Sequence, residues 1–354
     1  MSAARPARRV LVTGATGFVG SHTTRALLRA GHDVRVLVRR PEQLPSIFGR
    51  DLAGRLDVVT GDMTDASAVG RALAGQDAVV HAAALVRLER RHAARVLEGN
   101  RAGVEHVVGG AVARGIERIL YVSSAVALFQ PGGPAITRDS PVGTGENAYM
   151  RSKAECERHV RELQARGAPI RTSYPVAVLG PDDPGLSAAN RALLALFRDV
   201  AVVTRGGLQM VDVRDVARAH VHLLGLPAAS GRHILAGHFL RWGELVDRFE
   251  QLTGRRFRRV HAPAALLAAA GSVCDAIKRV WDFELPLTRE AARIMTEWVP
   301  VVADGEDEGE RPPGLGFRDV RATLRDTLLW LHDTRALPAR TLGSLQSYPM
   351  AETP

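Results

Sequence analysis

Short apolar runs alternate with longer helix-forming segments through the first half of this chain of 354 residues. The apolar runs have the length of buried strands, and the segments between them have the length of helices. Strands that alternate with helices predict an α/β fold built on a doubly wound parallel sheet. The predicted strands are 10–13, 34–38, 56–60, 78–81, 118–123 and 170–178, and the predicted helices include 66–73, 92–114 and 149–165.

Three glycines follow the first predicted strand at regular spacing: Gly14, Gly17 and Gly20. Glycine lets the backbone turn sharply and lets a pyrophosphate come close. A helix is predicted from there through Leu28, and its unpaired N–H groups and positive dipole end favour phosphate. A strand, a glycine turn and a helix in this order predict the first unit of a Rossmann-type dinucleotide-binding domain.

The alternation weakens after Gly180-Pro181, which suggests a second, smaller unit. Its predicted elements are a helix at 186–197, a strand-like start with a helix at 211–224, and short strands mixed with amphipathic helices at 234–330.

The predicted organisation has three parts. They are a dinucleotide-binding domain at 1–180 to which 205–232 return, a C-terminal substrate-binding lobe at 181–204 and 233–335, and a flexible tail at 336–354. Within the lobe we expect an acidic loop at 304–310.

The charge balance is positive, with 47 Lys+Arg against 38 Asp+Glu and a formal net charge of +9. Only Lys153 and Lys278 are lysines. No long basic run with interleaved aromatic residues appears, and the densest basic stretch, 255–259, is short, so no nucleic-acid partner is expected. Two cysteines make no disulfide framework, which is typical of the reducing cytoplasm, and no signal peptide or spanning helix is predicted.

The end of the second strand indicates which dinucleotide binds. An acidic residue there would accept a hydrogen bond from the ribose 2′-hydroxyl, whereas a guanidinium binds a 2′-phosphate. Arg39 and Arg40 occupy this position, so we expect NADP(H) in preference to NAD(H). Asp62, after the third strand, is placed either to accept from the adenine amino group or to cap the helix that follows.

Tyr149 and Lys153 are four residues apart, which places them on one face of a helix. An ammonium beside a phenol favours the phenolate, so we expect Lys153 to lower the pKa of Tyr149. Such a tyrosine can give a proton to a carbonyl or take one from an alcohol. Lysine in a chain that otherwise uses arginine suggests that a compact ammonium is required.

Two further polar residues are candidates for the same chemistry. Ser124 follows the fifth strand, at the sheet edge where ligands bind, and its hydroxyl could stabilise charge on a reacting oxygen. Asn100, in a long helix, could carry a water relay to Lys153 or could simply make helix-facing hydrogen bonds.

These residues and their order resemble the extended short-chain dehydrogenases/reductases of the NAD-dependent epimerase/dehydratase group over about residues 8–335. The glycine turn 14–20 resembles that family's cofactor turn, 121–125 its serine motif, and Tyr149 with Lys153 its Tyr-x-x-x-Lys motif. Arg39-Arg40-Pro41 and the lobe look most like the dihydroflavonol-reductase and 3β-hydroxysteroid-dehydrogenase branches. Further matching segments are Asp62, 81–84, 100–103, 174–181 and 211–217.

The resemblance implies hydride transfer between nicotinamide and a carbonyl or alcohol carbon. Ser124 would hold the oxygen, Tyr149 would move the proton, and Lys153 would tune Tyr149 and bind the nicotinamide ribose. Asn100 completes the implied catalytic set. The implied cofactor-binding residues are Gly14, Thr16, Gly17, Phe18, Val19, Gly20, Arg39, Arg40, Asp62, Met63, Ala82, Ala83, Tyr149, Lys153, Pro175 and Val178.

Two other functions stay open: a sugar-nucleotide epimerase or dehydratase that keeps NAD, and a non-catalytic dinucleotide sensor. Ala127-Leu128-Phe129 departs from the Val-Tyr-Gly of many epimerases, and sensors usually lack the Tyr–Lys pair. Apolar lobe residues suggest a small, greasy aldehyde, ketone or steroid-like substrate, although the same residues would serve as core. They are Leu186, Leu193, Phe197, Trp281 and Phe283.

The remaining features carry weaker expectations. The apolar segment 263–281 is predicted as a packed lobe helix, with a lid or a membrane-contacting helix as alternatives. His220 and His222 have no ligand cluster around them in the sequence, so no metal is expected. A homodimer is a family-level expectation.

Overall fold

The computed structural model describes residues 7–86, 92–145, 147–196, 200–277, 296, 300–302 and 316–347. Its central sheet has seven strands, all parallel, and confirms the predicted doubly wound fold. The strands are β1 (Arg9–Thr13), β2 (Asp33–Val38), β3 (Asp57–Thr60), β4 (Ala78–His81), β5 (Ile119–Val122), β6 (Ile170–Pro175) and β10 (Gly231–Leu235).

The strand order in this sheet is β3-β2-β1-β4-β5-β6-β10. The order reverses between β1 and β4, and such a switch point opens a crevice at the carboxyl ends of the strands. Val12 of β1 pairs with Val36 on one side and Val80 on the other. The crevice therefore lies directly above the glycine turn that follows β1.

Helices cover both faces of the central sheet and build most of the lobe. A π-helical turn, Glu105–Gly109, joins α4 to α5, so the predicted helix 92–114 is helical but not uniform. The helices are α1 (Phe18–Arg29), α2 (Leu44–Ala53), α3 (Ala66–Leu73), α4 (Ala93–Val104), α5 (Gly110–Ala113), α6 (Ala148–Ala165), α7 (Ala188–Leu196), α8 (Val213–Gly225), α9 (Trp242–Thr253), α10 (Ala264–Ile277) and α11 (Val320–Asp333).

Each face of the central sheet has its own apolar core. Successive strand residues point to opposite faces, so Leu11 packs with Val69 and Ile119 in one core. Val10 and Val12 belong to the other core. All three β1 residues have no exposed surface, which fixes the strand that leads into the glycine turn.

Two small sheets belong to the C-terminal half. One has the order β11-β9-β7 and the other pairs β12 with β8. Their strands are β7 (Ala177–Leu179), β8 (Val200–Val203), β9 (Gly207–Asp212), β11 (His238–Arg241) and β12 (Arg258–His261).

The predicted strand 170–178 is wrong as a single element. β6 ends at Pro175, and β7 pairs with β9 in another sheet. Proline has no backbone N–H to donate to a neighbouring strand, so a break there is physically reasonable.

The segment expected to begin a flexible tail is packed as far as Leu345. Short 3₁₀ turns occupy Ala339–Thr341 and Gly343–Ser347. Leu337, Leu342 and Leu345 are buried in the lobe core with residues of α9 and α11. The apolar spacing of these leucines explains why the chain packs there. The predicted acidic loop 304–310 lies outside the described residues.

Among the described residues, none of the helices combines the length and the apolar character needed to span a bilayer.

Candidate active site

The glycine turn is a tight backbone cradle. The Gly17 N–H donates to the Gly14 carbonyl at 2.9 Å, and Gly14 has φ +77°, where side chains are strained. A Cβ on Gly20 would lie 2.1 Å from the Gly14 oxygen. The first turn of α1 carries no acidic residue. These features leave no room for side chains at Gly14 and Gly20, and no acid in the first turn of α1 repels an anion at its N-terminus.

A cavity of about 980 Å³ opens above this turn. It is lined by nine of the residues predicted to bind the cofactor. They are Gly14, Thr16, Gly17, Arg39, Arg40, Asp62, Met63, Ala82 and Ala83.

Other predicted cofactor residues support the cavity without lining it. Phe18 and Gly20 are buried within α1, and Val19 packs between two cores. Val178 packs against the core that contains Val176, and the Pro175 carbonyl accepts from Ser124. Their direct contact with a cofactor remains a prediction.

The opposite wall of the cavity comes from residues that sequence reasoning missed. It is built by 182–186, after β7, and by residues at and beyond the end of α11. Asp182 and Leu186 have positive φ angles of 55° and 46°. A turn signal was visible in Pro181-Asp182-Asp183-Pro184-Gly185, but its position could not be read from the sequence. The contributing α11-side residues are Trp330, Thr334 and Ala336.

Charges of both signs face this cavity. An Arg39 Nη1 lies 3.7 Å from Asp62 Oδ2, and both side chains are partly exposed. The other carboxylate oxygen of Asp62 accepts from the N–H and hydroxyl of Thr64. Asp65, rather than Asp62, caps α3. The capping alternative for Asp62 is therefore wrong, and its carboxylate lines the cavity, where contact with the adenine remains a prediction.

Arg25, on α1, adds a cation that the sequence prediction did not include. Its guanidinium stacks over the Phe48 ring at 5.3 Å and donates to the Ile47 carbonyl. Its Nη1 is buried and has no hydrogen-bond partner among the described residues. Arg25 lines the cavity together with Arg39 and Arg40. A glycine cradle and three guanidiniums fit a dinucleotide, whose phosphates need close backbone N–H groups and positive charge.

Ser124 and Tyr149 meet at the carboxyl end of β5. Ser124 follows this strand in an extended conformation, and Tyr149 lies in the first turn of α6, which Asn147 caps. Burial raises the pKa of Tyr149 to about 12, and a hydrogen bond with the Ser124 side chain opposes that rise. The expected low pKa of Tyr149 beside Lys153 is therefore wrong in this structure, because desolvation dominates and the net shift is upward.

Lys153 is buried on the same helix, with 5% of its surface exposed. Its Nζ donates to the Val122 carbonyl at 3.1 Å and lies 5.5 Å from the centre of the Tyr121 ring. Burial lowers the pKa of Lys153, while nearby Cys156 and Glu157 raise it. The ammonium is thus fixed on β5, one helical turn from Tyr149.

Asn100 ties the segment after β4 to α6. Its Oδ1 accepts from Leu85 N at 2.7 Å, and its Nδ2 donates to Leu85 O and to Ser152 Oγ at 3.0 Å. These contacts match the second alternative, in which the Asn100 side chain makes helix-facing hydrogen bonds. A water relay from Asn100 to Lys153 remains untested.

The buried histidines are structural. His220 bonds to Thr23 Oγ1 at 2.9 Å and to Ser173 Oγ at 3.0 Å. In the part of the chain that the structure describes, no cluster of three or more His, Cys, Asp or Glu side chains could hold a metal ion.

A Rossmann-type sheet with a glycine cradle and a Tyr-x-x-x-Lys helix defines a dinucleotide-binding protein of the short-chain dehydrogenase/reductase class. Residues 10–237 match the NAD dependent epimerase/dehydratase family. The chain belongs to this family, and the predicted resemblance is confirmed.

Curated relatives share much of the chain. Sterol demethylase protein B of Methylococcus capsulatus is 26% identical, over 91% of this chain and 98% of its own. Ceramide reductase of Caulobacter vibrioides is 30% identical, over 82% and 86%. Cinnamoyl-CoA reductase 2 of Arabidopsis thaliana is 31% identical, over 67% and 75%.

Solved structures show the same fold. The crystal structure of gox2253 is 27% identical with a TM-score of 0.74, over 94% of this chain and 98% of that one. The terminal R domain of the myxalamid biosynthetic pathway has a TM-score of 0.75 at 23% identity, over 96% and 93%.

Proposed function

We propose that this protein is an NADP(H)-dependent reductase of an apolar aldehyde, ketone or acyl thioester. A thioester would give an aldehyde and release its thiol, and alcohol oxidation is the reverse of the aldehyde and ketone reactions. The observation that carries the proposal is the interaction of the Ser124 and Tyr149 side chains at the carboxyl end of β5. It lies at the same sheet edge as a cavity lined by Arg39 and Arg40. A proton donor and a phosphate-binding cavity on one edge fit carbonyl reduction with a phosphorylated dinucleotide.

The cofactor would be held by the glycine cradle and by the cations of the cavity, and when bound it supplies the hydride that reduces the carbonyl carbon. Ser124 would orient the carbonyl oxygen by hydrogen bonding. Tyr149, whose raised pKa keeps its phenol protonated at neutral pH, would give that oxygen a proton. The buried ammonium of Lys153 would stabilise the phenolate that remains.

The names of the relatives support a substrate with a large apolar part. Two of them are named as reductases, one of ceramide and one of cinnamoyl-CoA. The sterol demethylase protein adds a third apolar substrate class. The apolar lobe residues predicted from the sequence contribute less: Leu193 is buried in the lobe core, and Leu186 lines the cofactor cavity. Phe197, Trp281 and Phe283 lie outside the described residues.

The family description favours a second candidate, a sugar-nucleotide epimerase or dehydratase that retains NAD. The two candidates differ at the end of β2. Arg39 would pair with a 2′-phosphate in the reductase, whereas it offers no acceptor to the ribose hydroxyls of NAD.

The test is a turnover screen with purified protein. NADPH oxidation, followed by the loss of its absorbance, is measured against aliphatic, aromatic, steroid and acyl-CoA carbonyls, with NADH in parallel. We expect turnover with NADPH on at least one apolar class. NAD that copurifies with the protein, together with epimerisation of a nucleotide sugar and no carbonyl reduction, would establish the second candidate instead.

A further inference from the structure

Glu157 is a buried carboxylate on the catalytic helix that the proposed mechanism does not use. It lies one helical turn after Lys153 and two turns after Tyr149, and none of its surface is exposed. A carboxylate without solvent is costly unless every oxygen is hydrogen-bonded. Its partners therefore show why this position holds an acid.

Three donors converge on Glu157 from three elements. The Ser123 hydroxyl, just after β5, donates to Oε2 at 2.9 Å. The Tyr174 hydroxyl, on β6, donates to Oε1 at 2.5 Å, and Arg161 Nε of α6 donates to the same oxygen at 2.8 Å. One carboxylate thus joins the ends of two strands to the helix that carries Tyr149.

The two strand residues are each next to a residue of the site. Ser123 precedes Ser124, and Tyr174 precedes Pro175, whose carbonyl accepts from Ser124 Oγ at 3.4 Å. A shift of Ser123 relative to α6 would change the contact of Ser124 with Tyr149. Small displacements of this kind lower the rate of the catalysed step strongly, because proton transfer depends on heavy-atom geometry.

We propose that Glu157 is a positioning residue that fixes Ser124 and the Pro175 segment against Tyr149 through Ser123 and Tyr174. The inference rests on the proposed function, because positioning matters only if Ser124 and Tyr149 act together. Glu157 acts through its neighbours and is not a catalytic residue.

The charge of Glu157 also affects its surroundings. It faces Lys153, Cys156 and Arg161 on α6, Tyr121 on β5 and Tyr174 on β6, while His81 of β4 lies near Lys153. Its negative charge raises the pKa of Lys153. Loss of this charge should therefore let Lys153 lose its proton at a lower pH. If activity needs the Lys153 ammonium, the alkaline limb of the pH–activity profile would then move to lower pH.

The experiment compares three variants with the wild type in carbonyl reduction across pH. Glu157→Gln removes the charge at nearly constant shape, and Ser123→Ala removes one bond to Glu157 while leaving the charge in place. Glu162→Gln is the matched control, an exposed acid on the same helix. Cofactor dissociation constants and amide hydrogen exchange of peptides covering 119–125 and 170–176 are measured on every variant.

In Glu157→Gln we expect kcat to fall at least about tenfold with cofactor affinity within about twofold, because geometry rather than cofactor binding is lost. The alkaline limb of its pH profile should move to lower pH, and both peptides should exchange faster. Ser123→Ala should lower kcat by about threefold or more without moving that limb. Glu162→Gln should match the wild type in all four measurements.

Glu157→Gln with wild-type kcat, pH profile and exchange would overturn the proposal. If Glu157→Gln does not fold, a Ser123→Ala enzyme with kcat within about twofold of the wild type would overturn it as well. A wild-type protein that reduces no carbonyl would instead defeat the proposed function, and the exchange data would then decide whether Glu157 holds the strand ends.

Discussion

Replacement of Arg39 by glutamine should change the choice between NADPH and NADH. The Arg39 side chain is 60% exposed, and its ion pair with Asp62 at 3.7 Å is loose, so it can turn toward a phosphate at little cost. A hydrogen bond to a charged group contributes about 1.5–3 kcal/mol, and solvent exposure favours the low end of that range. Since about 1.4 kcal/mol is tenfold, NADPH should bind roughly tenfold more weakly. NADH binding should stay within about twofold, because NADH has no 2′-phosphate.

The assay is a titration of both cofactors with the wild type, Arg39→Gln and Arg50→Gln. Arg50 is an exposed residue of α2 that does not line the cavity. Its substitution removes the same charge from a position outside the cavity. Any change in cofactor affinity in this variant therefore measures the long-range electrostatic field alone, which salt screens. The decisive number is the ratio of the NADPH and NADH dissociation constants. An Arg39→Gln ratio equal to that of the wild type, or an equal change in Arg50→Gln, would refute the reasoning.

Three further predictions test the proton donor, the cradle and the buried core. Tyr149→Phe should lower kcat by about 10²–10⁴ while cofactor affinity holds; unchanged turnover would remove Tyr149 from the mechanism. Gly20→Ala should abolish cofactor binding and lower the Tm, because its Cβ would lie 2.1 Å from a backbone oxygen. Gly109→Ala, helical with nothing within 4 Å of its Cβ, should raise the unfolding free energy by about 0.5–1 kcal/mol; equal effects at both glycines would contradict the packing argument. Burial lowers the pKa of His220 from 6.5 to about 3. Its contribution to the free energy of unfolding is therefore complete above pH 6.5 and declines as pH falls toward 3. About 2 kcal/mol should be lost at pH 5. Because burial also lowers the pKa of His22, His81 and His233, urea unfolding should show that His220→Gln reduces the dependence by about this amount and that exposed His261→Gln leaves it unchanged; parallel curves would show that His220 does not titrate as described.

The sequence was sufficient for the features that depend on local pattern. The strand before Gly14, the helix after it and the alternation through 170 follow from periodicity and glycine spacing, and the central sheet confirms them. That Arg39 and Asp62 line one cavity was also predictable, since they lie just after the ends of the neighbouring parallel strands β2 and β3. Parallel strands bring their carboxyl ends to one edge, so these positions are fixed by the order of elements.

Features that depend on tertiary packing could not be predicted in the same way. The far wall of the cavity joins 182–186 to Trp330 and Thr334, which are far apart in sequence. The pKa of Tyr149 depends on desolvation, which spacing to Lys153 does not reveal. Arg25 was missed because an arginine in the middle of an amphipathic helix gives no sign of whether it faces solvent or a cavity.

The one described lysine, in a chain rich in arginine, can now be explained by the volume and chemistry of its site. The Lys153 ammonium is enclosed between the Val122 carbonyl and the face of the Tyr121 ring. A planar guanidinium has five donors to satisfy and needs more space, whereas an ammonium is compact. Burial lowers the pKa of Lys153, while arginine stays protonated in proteins. A site that holds a compact cation whose pKa responds to the charge of Glu157 therefore requires lysine. The burial that raises the pKa of Tyr149 likewise could not be inferred from its spacing to Lys153.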